Sequence, residues 1–490
     1  MNVPGRAALE LRAVRKVYPG NVCALDGVDI ELVPGEIHAL CGENGAGKTT
    51  LVEIAAGELR PTSGSVHAIG NVGLVHQHFE LIGRLHVWEN VVLGFEPRRG
   101  VRLDAEAARA RVRALSQSYG LELDPDALVE DLPVGIAQRV ELVRELARDP
   151  AVLIFDEPTA VLAPAEIASF FATVRALAAR GAAVLIVTHK LGEIVAYAER
   201  ATVLRAGKVV ARFGKGQIEL DAIARAMVGG EIPALAERVV TALGMGLVAR
   251  DLEAGQGAHA LRSASFEVRR GEILAIAGVE GNGQSVLADA IAGVVPSVGS
   301  LELEGTPLQG GARERIARGV RTIPGDRQRE GLIVSWSLVE NAVLGDQDRP
   351  PVRKGIAIDR VAAGRRAREI VERFDVRTTS IRTTVATLSG GNQQKLVVGR
   401  ALAGAPRLLL AYQPTRGIDV GAAALVQSSL IAARNAGAAV LLISFELDEI
   451  LALADRIAVI YRGMLSATML RDAFDRGTIG ALMAGAQRAS

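Results

Sequence analysis

Two stretches of this chain have the composition to grip a phosphate. Gly42-Glu43-Asn44-Gly45-Ala46-Gly47-Lys48-Thr49 fits G-x-x-x-x-G-K-[ST] in full. Glycines let backbone N–H groups turn inward onto an anion, while a helix N-terminus and Lys48 add positive charge. Thr49, followed by Thr50, offers a hydroxyl to Mg²⁺. Gly278-Val279-Glu280-Gly281-Asn282-Gly283-Gln284-Ser285 fits at every place except the lysine, which is Gln284.

Further on, the apolar run Val152–Phe155 ends in Asp156-Glu157. A carboxylate at Asp156 suits a metal ion, and Glu157 suits orienting or deprotonating a water. By itself an acidic pair ending a strand is ordinary; downstream of a phosphate loop it completes a hydrolytic set. The run Val184–Val187 then delivers Thr188-His189, with an imidazole in reach of a γ-phosphate.

These groups need a scaffold, and the sequence supplies it twice. The loops begin at Gly42 and Gly278, 236 positions apart, whereas Asp156-Glu157-Pro158-Thr159 returns as Tyr412-Gln413-Pro414-Thr415, 256 positions on. Leu132–Val140 returns in that second register, so the later copy holds extra residues in its middle. Each copy opens with strand-rich segments (Leu9–Val14 and Val28–Val33; Leu247–Leu252 and Ala264–Val268), then an apolar strand, the loop and a helix. A middle rich in Ala, Arg and Glu follows before apolar β-runs return. The expectation is α/β: in each copy a mostly parallel core sheet, an antiparallel β subdomain and a helical insertion (about 79–131 in the first). The domains are expected at 1–228 and 247–490, joined by a short linker, 229–246.

Composition removes several functional classes. With 490 residues, 49% hydrophobic, 23% charged and a net charge of +1, the chain is globular and lacks a field to recruit nucleic acid. The basic runs Arg313–Arg321 and Arg365–Arg373 read as solvated helix faces. Cys23 and Cys41 form no C-x-x-C pair, which points to a reduced, cytoplasmic protein, with Cys41 as a buried strand residue. Met1–Glu10 has no apolar core of a signal peptide, and the longest apolar runs fall short of the roughly 18 residues of a spanning helix. Any membrane role is then peripheral.

Leu388-Ser389-Gly390-Gly391-Asn392-Gln393-Gln394-Lys395 resembles the L-S-G-G-Q signature of the ATP-binding-cassette family. With two phosphate loops, Gln77 and His189, the resemblance covers nearly the whole chain and implies two tandem P-loop NTPase domains. In that family two cassettes pack head to tail, and each ATP lies between one phosphate loop and the other cassette's signature. One composite site then combines Gly42, Asn44, Gly45, Gly47, Lys48, Thr49, Thr50, Gln77, Asp156, Glu157 and His189 with Ser389, Gly390 and Gly391. The resemblance adds Tyr18 to stack on adenine, Asp419 from the opposing D-loop, Lys48, Gln77, Glu157 and His189 as catalytic groups, and Thr49, Gln77 and Asp156 as Mg²⁺ ligands.

The second composite site departs repeatedly from the family pattern. It keeps Gly278, Gly281, Gly283 and Ser285 but has Gln284 for lysine, Tyr412 and Gln413 for the carboxylates, Phe445 for histidine and Gly325 for glutamine. Its signature begins Leu132-Pro133 with no serine hydroxyl, and Ala163 replaces the D-loop aspartate. It is expected either to bind nucleotide weakly without turnover or to serve as a dimerisation platform.

Two fused cassettes without membrane segments look like the ATPase subunit of bacterial importers for nucleosides or simple sugars. Val75-His76-Gln77-His78-Phe79 and Ala411-Tyr412-Gln413-Pro414-Thr415 are more similar to the nucleoside branch than to the ribose/galactose branch. The implied partners are two transmembrane permease subunits and an extracytoplasmic substrate-binding protein, with no nucleic acid, at the cytoplasmic face of the membrane; the implied ligands are ATP and Mg²⁺. A soluble tandem-cassette translation or repair factor is the competitor from another class. It fits poorly with a short seam and two cysteines.

Overall fold

The segments Ile37–Gly42, Pro150–Asp156 and Ala183–Val187 are near-continuous runs of aliphatic residues, the pattern of parallel strands covered on both faces. In a computed structural model of the chain, described for residues 7–76, 80–159, 162, 164–230, 235–239 and 243–485, they form the middle of a six-stranded sheet. The fold divides into two units, Met1–Glu231 and Ile232–Ser490.

In the first unit the sheet order is Lys208–Phe213, Arg200–Arg205, Ile37–Gly42, Ala183–Val187, Pro150–Asp156, Asn71–Val75. Only the edge hairpin Arg200–Arg205/Lys208–Phe213 is antiparallel. Leu40 and Asp156 both lie opposite Val187, so three strands end side by side, at Gly42, Asp156 and just before Thr188-His189. Loops at the carboxyl ends of parallel strands are where α/β sheets place ligands. A three-stranded antiparallel sheet (Val22–Leu32, Leu9–Tyr18, Ser63–Ala68) stands beside the core. Leu51, Val52 and Ile54 of the helix Lys48–Ala56 pack into the cluster shared by both sheets. On the other face of the sheet, Trp88 and Val112 of the helical insertion and Val140 and Val143 of the helix Val134–Leu146 pack with Phe155, Val184 and Ile186 in one cluster.

The second unit repeats this plan with Val320–Ile323, Leu408–Tyr412, Ala439–Ser444, Glu272–Ala277 and Arg456–Tyr461 as its main strands. Part of its extra length is now placed. Between Ser297–Leu303 and Val320–Ile323 it inserts the short strand Thr306–Pro307 and the helix Ala312–Ala317, where the first unit passes directly from Ser63–Ala68 to Asn71–Val75.

The expected solvated faces on the basic runs require correction. Arg313, Arg318, Arg365, Arg368 and Arg373 are exposed, but Arg315 is 6% exposed and donates to the carbonyls of Ala290, Ile291 and Gly310. Those first two carbonyls lie in the last turn of the helix Gln284–Ala292, and on Ala290 O the arginine adds to the long capping bond from Gly293 N–H. Arg321 and Arg366 turn inward onto Asp346. Cys41 is buried and Cys23 lies in an exposed residue position. No helix among the described residues is long and apolar enough to cross a membrane. Gln77, His78, Phe79, Ala163 and part of the expected linker, including 231–234, lie outside the described residues.

Asn90 and Asn341 show how closely the units copy each other. The Asn90 Oδ1 accepts from Ile82 N–H at 2.8 Å and its amide donates to Ile82 O at 3.1 Å. Asn341 makes the same pair with Ile333, at 2.9 and 3.0 Å. Asn341→Ala, which strips a fully buried side chain of both bonds, is expected to lower the unfolding free energy by about 1–3 kcal/mol. A urea midpoint equal to that of the parent would contradict this.

Candidate nucleotide site

The first loop takes its shape from close approach. Gly47 has φ 101°, and a Cβ there would lie 2.5 Å from Ala24 O and 2.8 Å from Leu25 Cδ2. Only glycine fits, and the chain turns straight into the helix Lys48–Ala56. Lys48, 8% exposed, donates from Nζ to Gly42 O at 2.9 Å and Glu43 O at 3.1 Å. Burial lowers its pKa, opposed by the charges of Glu157, Asp156, Cys41 and Glu43. Thr49 is exposed beside it, as are Asn44 and Gly45. The Tyr18 hydroxyl lies 3.3 Å from Thr50 Oγ1, so the ring stands at the first turn of this helix.

Across from the lysine, Asp156 closes its strand and is 9% exposed. Burial pushes its carboxyl up to about 6, with the Glu157 charge adding to the rise and Lys48 opposing it. Glu157 is held at φ 47°, in the left-handed region, and its N–H donates to Val187 O at 2.9 Å. Its Oε1 is 3.0 Å from His189 Nδ1. Burial alone would raise the Glu157 pKa, but the His189 bond and charge, with Lys48 and Lys190, outweigh it and leave the group lowered. The result is an ionised, oriented acceptor beside a protonatable carboxylate. Thr49 and Asp156 supply hard oxygen donors of the kind Mg²⁺ takes alongside phosphate and water. Among the described residues no cluster of three His, Cys, Asp or Glu could hold a metal ion.

The second loop has the same backbone, with Gly283 at φ 101°, but different occupancy. Gln284, 1% exposed, accepts from Asn282 N–H at 3.0 Å and donates to Val279 O at 2.8 Å. The Asn282 side chain donates to Val279 O and accepts from Arg462 N–H, and His259 Nδ1 sits against Gly281 O. Its polar groups thus partner one another. Tyr412 packs edge-on to Phe445, centroids 6.2 Å apart, and a Cβ on Gly325 would lie 2.9 Å from the Tyr412 ring. Gly325, Tyr412 and Phe445 are therefore one linked apolar substitution. Burial pushes the Tyr412 hydroxyl up to about 12. Gln413 keeps the strained backbone of Glu157, at φ 49°, yet its buried Nε2 has no partner. Ser285 is exposed.

Ser389 caps the helix Gly390–Leu402, its Oγ accepting from Asn392 N–H at 3.4 Å and from Asn392 Nδ2 at 2.9 Å. Pro133 precedes the matching helix Val134–Leu146 and provides no side-chain cap. Gly390 and Gly391 are both hemmed in: a Cβ would meet Arg327 Nη2 at 2.5 Å in one case and Asp419 Oδ2 at 2.8 Å in the other. The Asp419 carboxylate caps its own helix, Val420–Asn435, through Ala422 N–H at 2.7 Å. That capping role was not foreseen for a residue assigned to nucleotide.

Sequence reading passed over two pairs that hold the strand-end loops. Glu193 accepts from Thr159 and Thr188, and Glu449, 256 positions later, accepts from Thr415 and Ser444. Gln138 and Gln394 tie each signature helix to the carbonyl of Pro158 or Pro414, both at 2.6 Å. The repeat register carried the signal in both cases. The structure thus brings Tyr18, Lys48, Thr49, Thr50, Asp156, Glu157 and His189 together in the first unit, and Ser389, Gly390, Gly391 and Asp419 together in the second.

The ABC transporter family profile matches residues 25–160 and 261–416. The chain is 40% identical over 485 residues to the nucleoside import ATP-binding protein NupA of Lactococcus lactis, covering 95% of this chain and 96% of that one. It is 38% identical to the guanosine import ATP-binding protein NupO of Bacillus subtilis, over 97% of each chain. Against the ribose import ATP-binding protein RbsA 3 of Rubrobacter xylanophilus the identity is 40%, over 97% of this chain and 98% of the relative. Among solved structures, an archaeal ribosome recycling factor aABCE1 in complex with stalk protein aP1 matches with TM-score 0.66 and 18% identity, over 94% of this chain and 90% of that one, a likeness of fold alone. The chain belongs to the ABC transporter family, as an ATPase built of two fused ATP-binding cassettes.

Proposed function

We propose that this chain powers a nucleoside importer and hydrolyses ATP at one site only, centred on Lys48, Asp156 and Glu157. The observation that carries this is the contrast between the units: a buried ammonium facing two carboxylates in the first, an amide facing a tyrosine and an amide in the second. Lys48 would leave its loop carbonyls for the β- and γ-phosphates, while the Gly42–Thr49 N–H groups cradle them. Mg²⁺, held by Thr49, Asp156 and Gln77, would neutralise developing phosphate charge. Glu157 would take a proton from the water attacking the γ-phosphorus, with His189 holding its carboxylate in place. Tyr18 would stack on adenine, and Ser389, Gly390, Gly391 and Asp419 would complete the site as the family resemblance implies. The second site would hold nucleotide weakly at most and turn none over.

ATP-binding import subunits work peripherally at the membrane with permease and substrate-binding partners. For this chain we infer two permease subunits, an extracytoplasmic binding protein, no nucleic acid, and the cytoplasmic face. Nucleoside is favoured over sugar by Tyr412-Gln413 and by the relatives NupA and NupO; the ribose relative at 40% identity supports the sugar reading. A ligand screen on the cognate binding protein separates them: purine or pyrimidine nucleosides support the first, ribose alone the second.

Glu157→Gln is expected to bind ATP at near-parent affinity and lose at least about 100-fold in kcat; hydrolysis at the parent rate would sink the assignment. Lys48→Ala should lose a comparable factor, whereas Gln284→Ala should stay within about twofold in steady-state phosphate release. An equal loss in both would show two working sites.

Asp156 also predicts a stability signature. Its carboxyl, at about 6 rather than 3.8, destabilises the fold once ionised, so the cost grows between about pH 4 and 6 and is complete above it. Asp156→Asn should therefore raise the unfolding free energy of the nucleotide-free chain by roughly 1–3 kcal/mol at pH 7.5. The gain should shrink toward pH 5, and a loss of stability at pH 7.5 would contradict the burial argument.

A further inference from the structure

The helix after the signature carries an arginine at the same place in both units, Arg144 and Arg400, 256 positions apart. In the first unit Arg144 is met on its own helix by Glu145 at 3.1 Å and Glu141 at 3.4 Å. Nearby, Arg111 of the helix Ala105–Ser118 lies 5.0 Å from the Phe95 ring centroid. The Arg144 guanidinium thus has two carboxylates against it. In the second unit the positions of Glu141 and Glu145 are Val397 and Ala401.

The cations there have multiplied instead. Asp346, 6% exposed, receives Arg321 at 2.8 Å, Arg349 at 3.2 Å and Arg366 at 2.6 Å, and Arg400 completes the cluster. Among the described residues Arg400 donates to two carbonyls, Gly331 at 2.6 Å and Asn341 at 3.3 Å. Burial, followed by the charge of Arg366, pushes its pKa down to about 10. The Arg366 Nε is buried without a partner. Three guanidinium groups bond one carboxylate and a fourth, Arg400, feels its charge and theirs, so positive charge exceeds negative at the cluster. Buried charge in such excess needs a counter-ion.

A cleft of about 370 Å³ reaches the cluster, lined by Arg321, Asp346 and Arg400 with Leu332 and Ala401 on its apolar wall. Arg329 and Glu330, at its mouth, carry one charge of each sign. We propose that this cleft is an oxyanion site, taking a carboxylate or phosphate group onto Arg321 and Arg400, separate from the nucleotide loops. The first unit lacks such a site because Glu141 and Glu145 supply the counter-charge internally. The oxyanion could come as a free ion or as an acidic side chain of a partner protein; the guanidinium chemistry is the same.

The test uses the full chain with saturating MgADP, so that the phosphate loops do not report. Thermal unfolding is followed while inorganic phosphate, or an N-acetylated tetraglutamate peptide, is titrated against NaCl of matched ionic strength. The midpoint of the second unit's transition should rise by roughly 5 °C at a hundredfold excess over Kd. A rise with phosphate alone assigns the site to a free ion, and one with the peptide alone to a partner's carboxylate. Ala401→Glu, which copies the first unit, should raise the midpoint without anion and abolish the increment, and Arg321→Gln should reduce the increment several-fold. No increment over chloride for either anion would overturn the proposal. So would an undiminished increment in both variants.

Discussion

At the carboxyl end of the first unit's sheet, one lysine and two carboxylates are withdrawn from water at close quarters without neutralising one another. Lys48 spends its hydrogen bonds on Gly42 and Glu43 carbonyls, Asp156 is driven toward its neutral form, and Glu157 is kept ionised by His189. Charge withdrawn from water is costly, and a triphosphate with its metal would bring a complementary set. The parallel register of Ile37–Gly42, Pro150–Asp156 and Ala183–Val187 exists to hold this arrangement, since it ends the three strands side by side. The strained backbone at Glu157 and the glycine-only turn at Gly47 belong to the same constraint.

The second unit shows that scaffold and chemistry separate cleanly. It retains the left-handed Gly283, the strained residue after the strand, and the Glu449 and Gln394 ties. What it has replaced is the charge, and the replacements support each other: Gln284 bonds the loop N–H and carbonyl, while Tyr412 and Phe445 fill space that Gly325 leaves. A single reversion there would meet a site already packed and hydrogen-bonded around its substitutes. The arginine cluster at Asp346 is a second instance of the same divergence, in which paired helices keep Arg144 and Arg400 but only one keeps its carboxylates.

The candidate nucleotide site was legible in the sequence as a set of motifs because its parts are short, local and repeated. A glycine loop, an apolar strand ending in Asp-Glu and a capped signature helix each declare themselves within about ten residues. Tertiary partners leave no such local trace. The Arg315 and Arg366 side chains look like surface charge from helical spacing, yet carbonyl ends and Asp346 draw them inward. The capping bond of Asp419, and the contact of His259 with the second loop, depend on segments brought together only by folding. Comparing the two copies position by position recovers some of this, as the pairs Glu193/Glu449 and Gln138/Gln394 show.

The proposal that hydrolysis belongs to the first unit alone can be tested on the turning-over protein. The most direct measurement is vanadate trapping during MgATP turnover with a photo-crosslinking azido-adenine nucleotide, followed by counting trapped ADP per chain and mapping the label. Hydrolysis at a single site gives one trapped ADP per chain, crosslinked within Met1–Glu231. Two per chain, or label within Ile232–Ser490, would contradict it.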